Sequence, residues 1–266
     1  MQNMAVKICF LGAAYHGFQR QQNALTIQEI IETALFKILG ETPIVYGCSR
    51  TDAGVSANEY VFNFKTENEI SPYKLKGALN HFLPNDIAVL DCTLAPEDFH
   101  ARYSTSEKEY VYRVINTRQK NPFTFERAFS YGITHLDADM LNAAAQSFLG
   151  KHDFSAFCSM HDGAKSHVRC VTHASVARDG DEVIFTFRAD GFLYNMVRIM
   201  VGTLIFVNEG KIKEDEIAGI IESRDRKRAG FTAEPCGLYL NRVIYENDPF
   251  KENKIGGDEH GGNSRI

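Results

Sequence analysis

No excess of positive charge marks this chain: 29 lysines and arginines face 34 aspartates and glutamates across 266 residues, a formal net charge of -5. Phosphate binding draws on Lys and Arg and gains from counterion release, so the global balance lends nucleic-acid binding no support. There is no Cys-x-x-Cys pair either. The six cysteines, Cys9, Cys48, Cys92, Cys158, Cys170 and Cys236, are scattered and read as reduced, mostly packed thiols. Residues 1–7 lack a basic region followed by an apolar stretch, so no export signal is read there. The most apolar long stretch, residues 192–207, is interrupted by Arg198 and is too short to cross a bilayer comfortably, which makes the cytoplasm the expected location. Tryptophan is absent altogether.

What is present has the balance of an ordinary soluble globular protein, and the length suffices for one large domain or two small ones. Charge is unevenly spread. Residues 1–100 hold seven basic against eleven acidic side chains, whereas residues 101–245 hold nineteen against eighteen, so a basic stripe on one face remains compatible with the total.

Hydrophobic periodicity predicts a strand over residues 4–11, a helix opened by Thr26 and closed near Gly40, and two strands over 43–48 and 57–64. Ser71-Pro72 starts a second helix, and residues 87–94 return as a strand. The order strand, helix, strand, strand, helix, strand is that of a ferredoxin-like unit. A related order follows: a strand over 110–116, a helix over 137–149, a hairpin over 168–177 and 183–189, a long helix from Phe192 to about Asn208, a shorter one over 213–223 and a last strand over 238–245. The chain therefore reads as an α+β protein of two ferredoxin-like halves, residues 1–100 and 101–245, with a Gly-, Asn- and Glu-rich tail over 246–266 expected to be disordered and without a site.

Cys48-Ser-Arg50-Thr-Asp52-Ala-Gly54-Val55 is the most informative stretch. In an extended loop between strands Arg50 and Asp52 point to one side, and a guanidinium there favours the ionised carboxylate against desolvation. Gly54 lets a substrate backbone come close. The same few residues also suit a surface turn, and a surface Arg/Asp pair is commonplace. Tyr110, in Tyr-Val-Tyr, suits a strand on aromatic preference alone. Arg198, set in an apolar helix, calls for a partner.

Arg50-Thr-Asp-Ala-Gly-Val55 resembles the active-site signature of the tRNA pseudouridine synthase A family, Gly-Arg-Thr-Asp-Ala-Gly-Val-His-Ala. Five further segments are similar to family motifs in the same order: Tyr15-His-Gly-Phe-Gln-Arg-Gln21, Phe99-His-Ala-Arg-Tyr-Ser104 with Tyr110-Val-Tyr112, Gly150-Lys-His-Asp-Phe-Ser155, Asp190-Gly-Phe-Leu-Tyr-Asn-Met-Val-Arg198 and Gly237-Leu-Tyr-Leu240. Ser56 stands where the family usually has His, Phe18 where it usually has Trp, and Cys48-Ser49 precedes Arg50 without the usual Gly. The resemblance implies a pseudouridine synthase fold, two ferredoxin/RRM-like halves whose mainly antiparallel sheets form a central cleft. It implies an isomerase acting on uridines of the tRNA anticodon stem-loop. By it, Asp52 is the catalytic nucleophile, attacking either the ribose C1′ or the uracil ring, while Arg50 and Arg198 hold it ionised, Arg198 reaching in from the long helix of the other half, and with Tyr110 they bind the everted nucleotide. Substrate and product are isomers, so no cofactor, metal, nucleotide or redox group is expected. The expected partners are tRNA and a second copy of the chain, with no membrane.

Other readings compete. Cys158, His161, His167, Cys170 and His173 have spacings open to a zinc site, a loose signal without a Cys-x-x-Cys. A non-catalytic RNA-binding module would need the aromatic, glycine-rich strand of an RRM, which is missing. A carboxylate hydrolase would need a second acid beside Asp52, for which Glu59 is the nearest candidate.

Overall fold

Where apolar residues alternate or run together the chain forms strands, and where they recur at helical spacing between cap residues it forms helices. The computed structural model describes residues 1–159 and 163–251. The first half supplies β1 (Gln2–Phe10), α1 (Ile27–Leu39), β2 (Tyr46–Gly47), β3 (Ser56–Thr66), α2 (Pro72–Phe82) and β4 (Ile87–Leu94). The second supplies β5 (Thr105–Ile115), β6 (Phe129–Ser130), α3 (Ala138–Ala145), β7 (Gly150–Asp153), β8 (Val168–Asp179), β9 (Glu182–Ala189), α4 (Met196–Asn208), α5 (Glu216–Ser223) and β10 (Leu238–Tyr245). The helix boundaries follow local chemistry. The Thr26 hydroxyl accepts from the Glu29 N–H at the start of α1, and Gly40 ends it in the left-handed region. Ser71 caps α2, with Pro72 at its first position.

All ten strands join in one mostly antiparallel sheet, whose main path runs β4-β1-β3-β10-β5-β9-β8-β7. The expected half-sheets are thus fused edge to edge. The last strand does the joining: β10 lies parallel to β3, with Tyr239 opposite Ser56 and Leu240 opposite Ala57, and antiparallel to β5, with Leu240 opposite Tyr110. Ordered this way, the sheet brings the start of β3, which follows the Asp52 loop, within one strand of β5, which carries Tyr110.

The core is built from the inward faces of these strands. Tyr60, Phe62 and Phe64 of β3 and Phe185 and Phe187 of β9 are fully buried. Helix α4 is buried almost all round, as expected for a helix without a polar face. Among the described residues no helix is long and apolar enough to cross a membrane.

Several boundaries differ from the sequence reading, each for a local reason. The long helix begins at Met196 rather than Phe192, because Asn195 takes a left-handed conformation (φ 62°) that an α-helix cannot include. The strand expected over 43–48 pairs only at Tyr46 and Gly47, opposite Asn63 and Phe62. His152 and Asp153 lie on the edge strand β7, paired with β8. Of the tail, residues 252–266 fall outside the described residues.

Candidate active site

The loop over residues 48–55 is fixed from below before it presents any chemistry. The Cys48 N–H donates to the Val61 carbonyl at 2.9 Å, and the Tyr60 hydroxyl donates to the Ser49 carbonyl at 2.5 Å. Phe18 stacks on the Tyr60 ring with centroids 4.2 Å apart, so the residue standing where tryptophan was expected still provides an aromatic floor. Ser56, standing where histidine was expected, is buried and accepts from the Gly12 N–H at 3.0 Å, tying the loop after β1 to the start of β3.

The loop after β1 presses directly on the Asp52 segment. Gly17 has φ 81°, and a Cβ there would fall on the Thr51 carbonyl oxygen, so both its conformation and its contact require glycine. The Gly54 N–H donates to the Tyr15 carbonyl at 3.1 Å. Gly54 itself (φ 80°) faces the Pro235 ring, and the structure gives it a role in the turn and in that contact, in place of the expected opening towards substrate.

Held in this way, Asp52 is one-quarter exposed, and its Oδ2 lies 3.3 Å from Nη1 of Arg198, which is only 14% exposed. Arg198 reaches across from α4 and is itself oriented: its Nε donates to the Ala233 carbonyl at 2.7 Å and its Nη1 to Asn195 Oδ1 at 2.7 Å. Burial raises the Asp52 pKa above the ordinary aspartate value, and the charge and hydrogen bond of Arg198 pull it back only in part. The expectation for Arg50 needs correcting here. It is exposed and lines the same cavity, but among the described residues the ion pair to Asp52 comes from Arg198. Sequence adjacency put Arg50 near Asp52 in the chain without turning its guanidinium onto the carboxylate.

Tyr110 is buried in the wall beside Asp52. Its hydroxyl lies 3.4 Å from Ser49 Oγ, and its ring meets Phe192 edge-on at 5.1 Å. Burial, with smaller contributions from Cys48 and Asp52, holds its pKa above the usual phenol value, so it is present as the protonated phenol. The Cys48 thiol is pushed up to about 11 by burial, which leaves it a packing group rather than a nucleophile.

Arg50, Asp52 and Tyr110 line one cavity of about 850 Å³ at the seam between the halves. Its charged wall is one-sided. Arg50, Arg102, Lys108, Lys165 and Arg169 line it, and Asp52 is the sole carboxylate among the described residues. A chain of net negative charge therefore gathers cations where a polyanion would enter.

Several described members of the competing constellations have other partners. Glu59 is bound to Lys7 at 3.1 Å and does not stand beside Asp52. Ser155 lies 2.8 Å from Nδ1 of His167, His173 lies 3.0 Å from the Ser175 hydroxyl, and Cys158 Sγ donates to the Ser159 carbonyl. His161 is outside the described residues, and among the described residues no three potential metal ligands gather.

Sequence reasoning missed Asn195, Ser49, Lys108 and the Ala233 carbonyl. One of these carried a readable signal: Lys108 lies two residues before Tyr110 on the same strand face.

Comparison with known proteins shows a family. A family model described as tRNA pseudouridine synthase matches residues 7–104 and 144–246. The chain is 46% identical over 246 residues to a tRNA pseudouridine synthase A of Acetivibrio thermocellus, spanning 92% of this chain and 100% of that one. It is 43% identical over 246 residues to a tRNA pseudouridine synthase A of Thermoanaerobacter sp. (strain X514), with the same coverage. A protein of Clostridium perfringens named tRNA pseudouridine synthase A 2 is 42% identical over 246 residues, again across 92% and 100%.

Proposed function

The chain belongs to the tRNA pseudouridine synthase family, an isomerase that converts uridine to pseudouridine in tRNA, and from that premise we propose that Asp52 is its nucleophile. The observation that carries the assignment is the Asp52–Arg198 pair at 3.3 Å, largely withdrawn from solvent, with Asp52 lining the cavity alongside Tyr110 and Arg198 behind it.

The reaction breaks the bond from ribose C1′ to N1 of uracil and forms one from C1′ to C5. The C5 proton leaves and N1 gains one, so no atom or electron is supplied from outside. A base cannot turn while stacked and paired, so the uridine must first be everted, at a cost of a few kcal/mol. The cavity accepts it with Asp52 below and the Tyr110 ring at its side. Arg198 keeps enough charge on Asp52 for attack on the uridine while burial keeps that charge reactive. Tyr110 lies against the uracil, and as a neutral phenol it takes up the C5 proton only as it passes its own hydroxyl proton on, for which Ser49 Oγ lies 3.4 Å away. Arg50, exposed at the rim, contacts the RNA rather than the carboxylate. The target uridines lie in the anticodon stem-loop, the protein works in the cytoplasm, and two copies act together, so that two cationic cavities make one longer track for tRNA.

Incubating the protein with unmodified tRNA transcripts and mapping pseudouridine tests the reading. Asp52→Asn is expected to abolish product while the variant still folds and binds tRNA. Normal product from the purified variant would remove Asp52 from its role. A solution mass equal to one chain at working concentration would remove the dimer.

A further inference from the structure

Lys108 is a cation of the cavity that the nucleophile and its partners leave unused. It stands two residues before Tyr110 on β5, so both side chains leave the same face of the sheet, about 7 Å apart along the strand. Both line the cavity. Glu109, between them, faces the other way, where Arg188 donates to it at 2.6 Å and Asn241 at 2.7 Å. Glu107, on that same opposite face, accepts from Thr172 at 2.6 Å. The acids adjacent to Lys108 in sequence are thus committed elsewhere, and among the described residues no carboxylate pairs with its ammonium.

Its charged neighbours make this arrangement more demanding. Burial disfavours the charged form of Lys108, and Arg102 and Arg169 repel it, so its pKa is lowered. Arg169 is held by the backbone and Arg102 stands exposed at the rim. The Arg102 guanidinium lies 5.8 Å from the centre of the Tyr103 ring, itself 76% exposed at the rim. Arg169 Nη1 donates to the Ser166 carbonyl at 2.8 Å and to the Val168 carbonyl at 2.7 Å. Among the described residues Asp52 is the one carboxylate of this cavity and it pairs with Arg198, so three cations on one wall form an arrangement that an anionic ligand relieves.

The substrate brings such a ligand at a fixed spacing, because every nucleotide carries a phosphodiester a short distance from its base. We infer that Lys108, flanked by Arg102 and Arg169, seats a phosphodiester next to the everted uridine while Tyr110 seats its base. With both ends of the nucleotide held, the ribose lies over Asp52 in a defined orientation, which is where positioning contributes most to rate. This assignment rests on the pseudouridine synthase reading of the same cavity.

The test is binding of a stem-loop RNA to the Asp52→Asn protein, in which turnover is blocked, with and without Lys108→Met. Removing the ammonium is expected to weaken binding roughly ten- to a hundredfold, the worth of one charge-assisted hydrogen bond. It also lowers the slope of log affinity against log salt by about one, whereas Lys108→Arg keeps most of both. A second arm replaces one phosphodiester at a time, 5′ or 3′ of the target uridine, by an uncharged methylphosphonate. One of the two replacements costs the Lys108 protein a similar factor and costs the Lys108→Met protein nothing further, which also identifies the linkage. An unchanged salt slope, or neutral linkages that weaken both proteins equally, overturns the assignment. Should Lys108→Met not fold, the neutral linkages on the Lys108 protein decide alone, and no loss at either position overturns it. Pseudouridine formation by the wild-type protein is measured separately: if it forms and the Lys108 arms show nothing, only this inference fails, and if none forms, the underlying reading fails.

Discussion

Replacing Arg198 by Gln tests whether the cross-seam ion pair governs the chemistry. At 3.3 Å, and with an effective dielectric constant of about 20, the guanidinium attracts the Asp52 carboxylate by about 5 kcal/mol before desolvation is counted. Burial of both groups consumes much of that. The remainder is on the scale of one charge-assisted hydrogen bond, about 1.5–3 kcal/mol, or roughly ten- to a hundredfold in rate. The direction with pH follows from the opposing causes. Asp52 must be ionised to attack; burial raises its pKa and Arg198 lowers it. Without the guanidinium the burial effect is unopposed, so activity is lost at a higher pH as the solution is acidified. The assay is single-turnover pseudouridine formation on a tRNA transcript across the acid limb. Wild type is expected to lose activity at a pH above the ordinary aspartate range, Arg198→Gln at a higher pH still, and Arg198→Lys in between, because an ammonium restores charge without the fork that also grips Ala233 and Asn195. An acid limb that does not move between wild type and Arg198→Gln would refute the coupling, whatever happened to the rate at neutral pH.

Asp52→Asn should melt no lower than wild type at neutral pH: a carboxyl whose pKa is raised on folding is destabilising once ionised, a deficit that disappears below its unfolded pKa, so the difference in melting temperature should shrink on acidification. A clear neutral-pH loss of stability would show that Arg198 outweighs burial. Gly17→Ala forces a side chain into a left-handed position and onto the Thr51 carbonyl; it should cost at least about 1 kcal/mol in urea unfolding and, by shifting the Asp52 loop, about a hundredfold in turnover. Full activity would mean the loop tolerates displacement. Tyr110→Phe should slow turnover far more than it weakens tRNA binding, and equal effects on both would assign the hydroxyl to binding. Asn195→Ala releases one of the two bonds that aim Arg198, and should move the acid limb in the same direction as Arg198→Gln by a smaller amount.

Much of this was legible in the sequence because it is local. The Thr26 cap, the glycine stop at Gly40, the Ser71-Pro72 start and the alternation of β3 each depend on residues within one turn or one strand. The Asp52 motif announced a site for the same reason. What could not be read depends on the long-range path of the chain. That β10 inserts between β3 and β5 is a matter of register between residues nearly two hundred positions apart, and no periodicity in either strand encodes it. Adjacency assigned Arg50 to Asp52, whereas the guanidinium that reaches it is that of Arg198, 146 residues away, which only the family resemblance had placed there. Asn195 looked like one more position in an apolar helix, and only its left-handed backbone shows that the helix starts after it so as to aim Arg198.

The place of β10 also bears on when the enzyme comes into being. The strands on either side of it are translated before residue 238, yet no strand pairing joins β3 to β5 until β10 arrives. A nascent chain short of it displays two raw sheet margins, on β3 and on β5, open to pairing with other chains. Catalytic competence should therefore switch on abruptly once β10 has been made, which protease resistance and pseudouridine formation by chains stopped on either side of β10 would reveal.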